Sequence, residues 1–397
     1  MSTIDESHAI PRDINGLEQV DNIDELLPWA RENDVSDLHI GGYGPVWIER
    51  HGLLECLDFA VGEESIRSWL GKNLSEAMLA RLQRAGGDVR RGGLGDGSKH
   101  VQGVGNLRIH AWRSRNAGGS GIEVTIRMLA PEIPTFEKFG YPSVLKSWAE
   151  QDSGLVLVGA PTGSGKTTML AAMIDHINRT ASRHILTAED PVEYFHTDIN
   201  SRVRHCEIGE DVGSYEDALV GFLRAKPHVI VPAEIRDMET MTNVLSAAET
   251  GHLVMATLHA RDAEQIVRRV IDFFPADRQG LVRSQLANNL KGIVSCRLPR
   301  RRDGTRVIAT EICDIAGGAN APAIKANIID GSFSKIRDEL QAGGPNSSSH
   351  TLEMDLARLA SFGPGGALPT ITPEAARAWS EKKDDPKIAA LFAQSVR

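Results

Sequence analysis

The chain has 397 residues, 41% hydrophobic and 24% charged, which are the proportions of a soluble globular protein with room for two domains and a tail. Its formal charge of -9 argues against broad nucleic-acid binding, which rests on neutralising phosphates with Lys and Arg, and leaves only a local basic patch. Cys56, Cys206, Cys296 and Cys313 lie far apart without paired spacing, so they spell neither a zinc site nor a disulfide framework and fit a reducing compartment.

The opening MSTIDESHAIPRD lacks a basic region followed by an apolar core, and nowhere do about 18 apolar residues run together. The expectation is a cytoplasmic protein that meets a membrane only through partners. Residues 1 to about 20 read as a flexible polar lead. From Asn22 the spacing of Ile23, Leu26, Leu27 and Ala30 predicts a helix that tolerates Pro28 near its start. VSDLHIGGYGPVWIERHGLL (35 to 54) alternates apolar and polar residues between Gly and Pro, the pattern of short strands joined by turns. Residues 63 to 84 predict one or two amphipathic helices ending at Gly86 and Gly87. The Gly-rich, charged stretch 85 to 105 reads as a loop or a splayed hairpin. Strands LRIHAW (107 to 112) and IEVTIRML (122 to 129) follow, around RSRNAGGSG. Together these predict a small α+β domain over 21–130, and Pro131 and Pro134 mark an extended linker over 131–139.

In LVLVGAPTGSGKTTML (155 to 170) an apolar run reads as a buried parallel strand, and a Gly-rich turn opens into a helix near Lys166. This is a phosphate-binding loop. Residues Ala160, Pro161, Thr162, Gly163, Ser164, Gly165, Lys166, Thr167 and Thr168 would surround the ligand, with backbone N–H groups and the helix N-terminus facing the anion. Lys166 would reach the outer phosphates of a nucleoside triphosphate, and the Thr167 hydroxyl would ligate magnesium. The first glycine of the G-x-x-x-x-G-K-[ST] pattern is Ala160 here, preceded by Gly159, and alanine fits if its φ stays negative.

Three more apolar strands follow: HILTAEDPVEYF (184 to 195), PHVIVPAEIRD (227 to 237) and HLVMATLHA (252 to 260). Ligands of parallel α/β sheets bind at the carboxyl ends of strands. Glu189, Asp190 and Glu193 are therefore candidates for magnesium or water positioning, and Glu234 for activating an attacking water. An acidic turn explains Glu193 equally well, and a strand-end histidine such as His259 is often structural. The tail, 341–397, joins AGGPNSSSH to two helix-like segments, TLEMDLARLASF and TPEAARAWSEKK, separated by PGGALP.

Taken together, GAPTGSGKTT, ILTAEDPVEYFH, PHVIVPAEIRD and AAETGHLVMATLHA resemble the four nucleotide-site boxes of the secretion ATPase superfamily, the motors of type II secretion, type IV pili and type IV secretion. VSDLHIGGYGPVWIERHG resembles the opening of PilT-type pilus-retraction motors and their DotB- and TraJ-type relatives, and QIVRRVIDFFPADRQGLVRSQLANNLKGIVSCRL (265 to 298) follows the PilT pattern. The resemblance runs from about residue 22 to about 380 and leaves 85–105 unplaced. It implies an α/β, RecA-like P-loop core over 140–340 behind an N-terminal α+β domain of the PAS-like kind. It also implies a ring hexamer that hydrolyses ATP with Mg2+ for pilus retraction, secretion or conjugation, at the cytoplasmic face of an inner-membrane platform; the acidic charge adds the expectation of no direct nucleic-acid contact.

The resemblance further implies that Glu189 stands near the metal and the nucleophile, Glu234 is the Walker B glutamate, and His259 lies near the γ-phosphate and a subunit interface. Arginines of the first domain, with Arg108, Arg113, Arg115 and Arg127 as candidates, would reach the nucleotide. His228 and Pro232-Ala233 depart from the pattern, standing where pilus motors commonly have an Asp before the strand and Val-Gly before the glutamate. The missing carboxylate would place more of the metal work on Glu189, Asp190 and Glu234, and the departures leave open a nucleotide-gated scaffold with little turnover. A RecA-like DNA or RNA translocase is a further alternative, against which the acidic charge counts.

Overall fold

The computed structural model describes residues 22–380, apart from 43, 51–52, 75, 84–93, 117–118, 130–132, 162, 343–346 and 362–367. The expected flexible lead, the helix end at Gly86 and Gly87, Pro131 of the expected linker, Thr162, and residues 364–367 of PGGALP lie outside the described residues. Contacts divide the chain into two units, one reaching residue 132 and taking in Pro191–Phe195, the other holding 133–190 and the chain from His196 onward.

In the first unit, α1 (Ile23–Glu32) begins at Asn22, whose side-chain oxygen accepts the Asp24 amide at 3.1 Å. It buries Ile23, Leu26, Leu27 and Ala30, one stripe of a helix. The elements β1 (Val35–Gly41), β2 (Trp47–Arg50), β3 (Leu53–Cys56), α2 (Glu63–Asn73), α3 (Glu76–Gln83), β4 (Leu94–Val101), β5 (Gly105–Asn116) and β6 (Gly119–Met128) follow. The strands form one antiparallel sheet in the order β3-β2-β1-β6-β5-β4. Alternate residues Leu38 and Ile40, Leu107 and Ile109, and Val124 and Ile126 share a core with Leu26, Ile66 and Trp69 from the helices. Of the two readings of 85–105, a loop or a splayed hairpin, the later part forms the hairpin, with β4 as the edge strand paired to β5. Its sequence, LGDGSKHV, carries almost no apolar alternation, and pairing with β5 along its whole length makes it a strand.

The second unit opens with α4 (Phe136–Phe139), capped by the Thr135 hydroxyl, and α5 (Val144–Ala149). Phe136 is buried with Leu145 and Trp148, so the later part of the expected linker 131–139 is helix packed into this unit's core. There follow β7 (Gly154–Gly159), α6 (Lys166–Thr180), β8 (His184–Glu189), β9 (Arg202–Glu207), α7 (Tyr215–Arg224), β10 (Val229–Pro232), α8 (Met238–Glu249), β11 (Leu253–Leu258), α9 (Ala263–Asp272), α10 (Ala276–Asn289), β12 (Leu290–Arg297) and β13 (Ala309–Asp314). The strand expected over 184–195 ends at Glu189, because Pro191 has no amide hydrogen and restricts Asp190 before it.

The seven strands run in the order β13-β12-β7-β11-β10-β8-β9, all parallel except β13. Every residue of β7 is buried, with Leu155 and Leu157 in one core and Val156 and Val158 in the core on the other face. Registers Leu258↔Gly159 and Pro232↔Ala188 bring the carboxyl ends of β7, β11, β10 and β8 to one edge of the sheet. The chain continues through α11 (Ala321–Asp330), α12 (Ser334–Ala342), α13 (Leu352–Ala360) and α14 (Pro373–Trp379). Leu352, Leu356, Ile371 and Ala376 of this tail form a small core with Val307 and Ala309. Among the described residues no helix is long and apolar enough to cross a membrane.

Candidate active site

At the end of β7 the chain turns through 160–165 into α6. Gly163 and Gly165 take φ of +75° and +88°, a region that L side chains enter only with strain, and this curls the loop before the first turn of the helix. Ala160 is fully buried and is not among the residues of positive φ, so a methyl group is tolerated there. The position that demands glycine is Gly159, since a Cβ there would overlap Ile266 of α9 and lie 2.9 Å from the Ala260 carbonyl oxygen. Lys166 folds over the loop, its Nζ donating to the carbonyls of Ala160 at 2.9 Å and Pro161 at 3.2 Å. From β12 the Cys296 thiol donates to the Ser164 carbonyl at 3.2 Å, and burial pushes that thiol's pKa up to about 12. The start of α6 leaves amides without intrahelical partners, which suits an anion.

Beside the loop, the ends of β8, β10 and β11 gather charge. Glu234 follows β10, its Oε1 3.1 Å from His259 Nε2 and its Oε2 accepting from Arg236 Nε at 2.8 Å. Arg236 also reaches Asp190 with Nη1 at 3.2 Å, and its hydrogen bond to Glu234 holds its pKa above the ordinary value. The backbone fixes this turn: the Ala233 amide donates to the Ala188 carbonyl at 2.8 Å and the Ile235 amide to the Thr257 carbonyl at 3.0 Å. Glu189 ends β8, where its Oε1 accepts from the Thr187 hydroxyl at 2.6 Å and lies 3.0 Å from His205 Nδ1 on β9.

The structure therefore groups Lys166, Glu189, Asp190, Glu234 and His259 at one edge of one sheet. Glu193 lies in Pro191–Phe195, which clusters with the first unit. Arg108, Arg113 and Arg115 all sit on β5 of that unit, but strand alternation puts Arg108 on one face and the other two on the opposite face. Arg127 on β6 is held by Asp37, Nε to Oδ1 at 2.8 Å, a structural partnership with a buried carboxylate.

His228 precedes β10 at the amino end of the strand, where its Nδ1 accepts the His184 amide at 2.9 Å, so a carboxylate there would stand at the edge of the sheet opposite Glu234. Sequence reasoning missed Thr187, His205 and Arg236. Arg236 was readable, being two residues past Glu234 in the same turn. His205 was not, because RVRHCE alternates too weakly to announce β9.

Residues 119–317 match the family model described as "Type II/IV secretion system protein". The type IV pilus retraction ATPase PilT of Pseudomonas aeruginosa is 34% identical over 342 residues, 86% of this chain and 95% of that one. Protein YggR of Escherichia coli is 35% identical over 324 residues, 81% of this chain and 93% of that one. A crystal structure of the pilus retraction motor PilT with bound ADP superposes with a TM-score of 0.77 at 35% identity, covering 92% of this chain and 98% of that one. With its nucleotide-loop sheet inside the matched region and these relatives spanned almost end to end, the chain belongs to the type II/IV secretion system protein family, the secretion ATPases that include the PilT-like motors.

Proposed function

We propose that the chain is an ATP-hydrolysing motor subunit that works as a homo-hexamer in a type IV pilus or type IV secretion machine. The observation that carries this reading is the convergence of a two-glycine phosphate loop with Glu189, Glu234 and His259 at the ends of neighbouring parallel strands. The triphosphate of ATP would lie against the amides at the start of α6, and Lys166 would exchange the Ala160 and Pro161 carbonyls for phosphate oxygens. Thr167, Glu189 and Asp190 offer oxygen donors only. Oxygen donors suit magnesium, an ion that takes few protein ligands and fills its shell with phosphate and water. When bound, magnesium would neutralise charge on the phosphoryl oxygens.

Glu234 is the group to orient the attacking water and accept its proton, with His259 holding one carboxylate oxygen and Arg236 the other. An arginine from the first unit, of this or a neighbouring subunit, would complete charge neutralisation, and Arg108, Arg113 and Arg115 are the candidates. Similarity to PilT over nearly the whole chain supports a location in the cytoplasm against an inner-membrane platform. The test is steady-state ATP hydrolysis against protein concentration, for the wild type and Glu234→Gln. A shared site predicts specific activity that rises with concentration, and the variant should bind ATP while losing roughly 100-fold or more in kcat. A wild type that binds ATP and never turns it over refutes the proposal.

A further inference from the structure

Glu189 is 7% exposed and must present one oxygen in a fixed place if it is to serve a metal or a water. Holding a glutamate still sacrifices rotamer freedom, so something must hold it. Thr187 lies two residues back on the same face of β8 and donates to Oε1 at 2.6 Å. Across the β8–β9 register Thr187 pairs with His205, whose Nδ1 lies 2.8 Å from the Thr187 hydroxyl and 3.0 Å from Glu189 Oε1.

The other ring nitrogen decides the tautomer. The His196 amide, which can only donate, points at His205 Nε2 from 3.0 Å, so Nε2 carries the lone pair and the ring proton sits on Nδ1, facing Thr187 and Glu189. The His196 ring stacks on His205 with centroids 5.7 Å apart and planes at 19°. Burial drives the His196 pKa down to about 3, which makes it an uncharged wall. Oε1 of Glu189 is thus held by two donors, while Oε2 has no protein partner among the described residues.

We propose that His205 is the positioning residue for Glu189, fixing through Nδ1 and Thr187 which carboxylate oxygen faces the nucleotide. This rests on the proposed ATPase reading. The arrangement is a two-sided clasp: one imidazole joins a side chain at the end of β8 to a backbone amide at His196. Partners of this kind, which orient a functional carboxylate without touching the substrate, typically contribute 10- to 100-fold in metal affinity or activity.

The test uses the full chain and the variants His205→Leu, His205→Asn, Glu189→Gln and the Leu/Gln double variant. Asn can place an amide N–H near the Nδ1 position and keeps the donor. The readouts are kcat and KM for ATP, affinity for a fluorescent ATP analogue with magnesium and with EDTA, and the melting temperature. His205→Leu should lose 10- to 100-fold in kcat and most of the affinity gained from magnesium, with binding in EDTA unchanged. His205→Asn should recover part of both, and His205→Leu should cost nothing further in the Glu189→Gln background. A wild type that turns over ATP, with His205→Leu equal to it in kcat and in magnesium dependence, overturns this inference alone, as does a lower melting temperature with unchanged kinetics. A wild type without turnover overturns the ATPase reading. If His205→Leu still removes the magnesium dependence of binding there, the positioning role stands, and if it does not, both fall.

Discussion

Gly159→Ala should destabilise the second unit, because the added methyl group has nowhere to go. It would overlap Ile266 Cδ1 and stand 2.8 Å from Ile266 Cγ1 and 2.9 Å from the Ala260 carbonyl oxygen, where ordinary contact begins near 3.4 Å. Ile266 is fully buried in the core under α9, and the Ala260 oxygen is backbone, so neither can swing aside like a surface side chain. Relief requires α9 and the turn after His259 to move by about half an ångström or more, and overpacking of this kind costs about 1–3 kcal/mol. In a unit of this size each kcal/mol lowers the melting temperature by about 2–4 °C, so calorimetry should find a fall of roughly 2–12 °C. Ile266→Val removes the overlapping Cδ1 and by itself costs about 0.5–1.5 kcal/mol. Combined with Gly159→Ala it should destabilise by less than the two single costs added, with a coupling of at least about 0.5 kcal/mol. A strictly additive pair, or a neutral Gly159→Ala, would refute the argument that close approach of α9 moved the glycine one place ahead of the usual position.

Two further outcomes can be read in solution. Burial raises the pKa of Glu311 from an ordinary 4.5 to about 7, while its Oε1 accepts the Ala263 amide at 2.7 Å. Between those pH values the folded state keeps a proton that the unfolded chain releases, so stability falls as pH rises through the window, by on the order of 3 kcal/mol at most. Glu311→Gln keeps the acceptor, and denaturant titrations should show it gaining on the wild type from pH 5 to pH 8; a difference that is flat with pH sinks the assignment. Arg127→Ala should cost the first unit about 1–3 kcal/mol by stripping a partner from buried Asp37, with little from the charge itself because the guanidinium is more than half exposed. Asp37→Asn should recover most of that in the double variant, whereas normal melting with lost turnover would show Arg127 acting at the nucleotide instead.

The parts of this site that can be read from sequence are those whose chemistry is local. LVLVGAPTGSGKTTML contains its own strand, turn and helix start, and Glu234 and His259 each follow an apolar strand too hydrophobic to lie anywhere but inside a sheet. What was hidden is contributed across the sheet. β4 and β9 exist because a neighbour pairs with them, and neither LGDGSKHV nor RVRHCE carries an alternation that would reveal it. His205 acts on Glu189 through a register that one chain segment cannot state. The faces of β5 were legible once its length was known, yet the expected strand ended at Trp112 and left Arg113 and Arg115 in a loop.

Pro232, the second departure from the pilus-motor pattern, sits where the backbone tolerates it. Proline has no amide to offer a ladder, so inside a sheet it fits only where no bond is asked of it. β10 pairs with β8 as far as Pro232↔Ala188, but its pairing with β11 stops at Ile230↔Val254, two residues earlier. Alternation along the strand explains this. The Ala233 amide bonds toward β8, so the missing Pro232 amide is the one that would have faced β11. The gap is closed by side chain and turn: the Thr257 hydroxyl donates to the Ala233 carbonyl, and the Ile235 amide returns to the Thr257 carbonyl. Glu234 sits between those two bonds and is held there whether or not proline precedes it. Loss of the ladder bond is thus confined to the backbone below the glutamate, and the carboxylate keeps both His259 and Arg236.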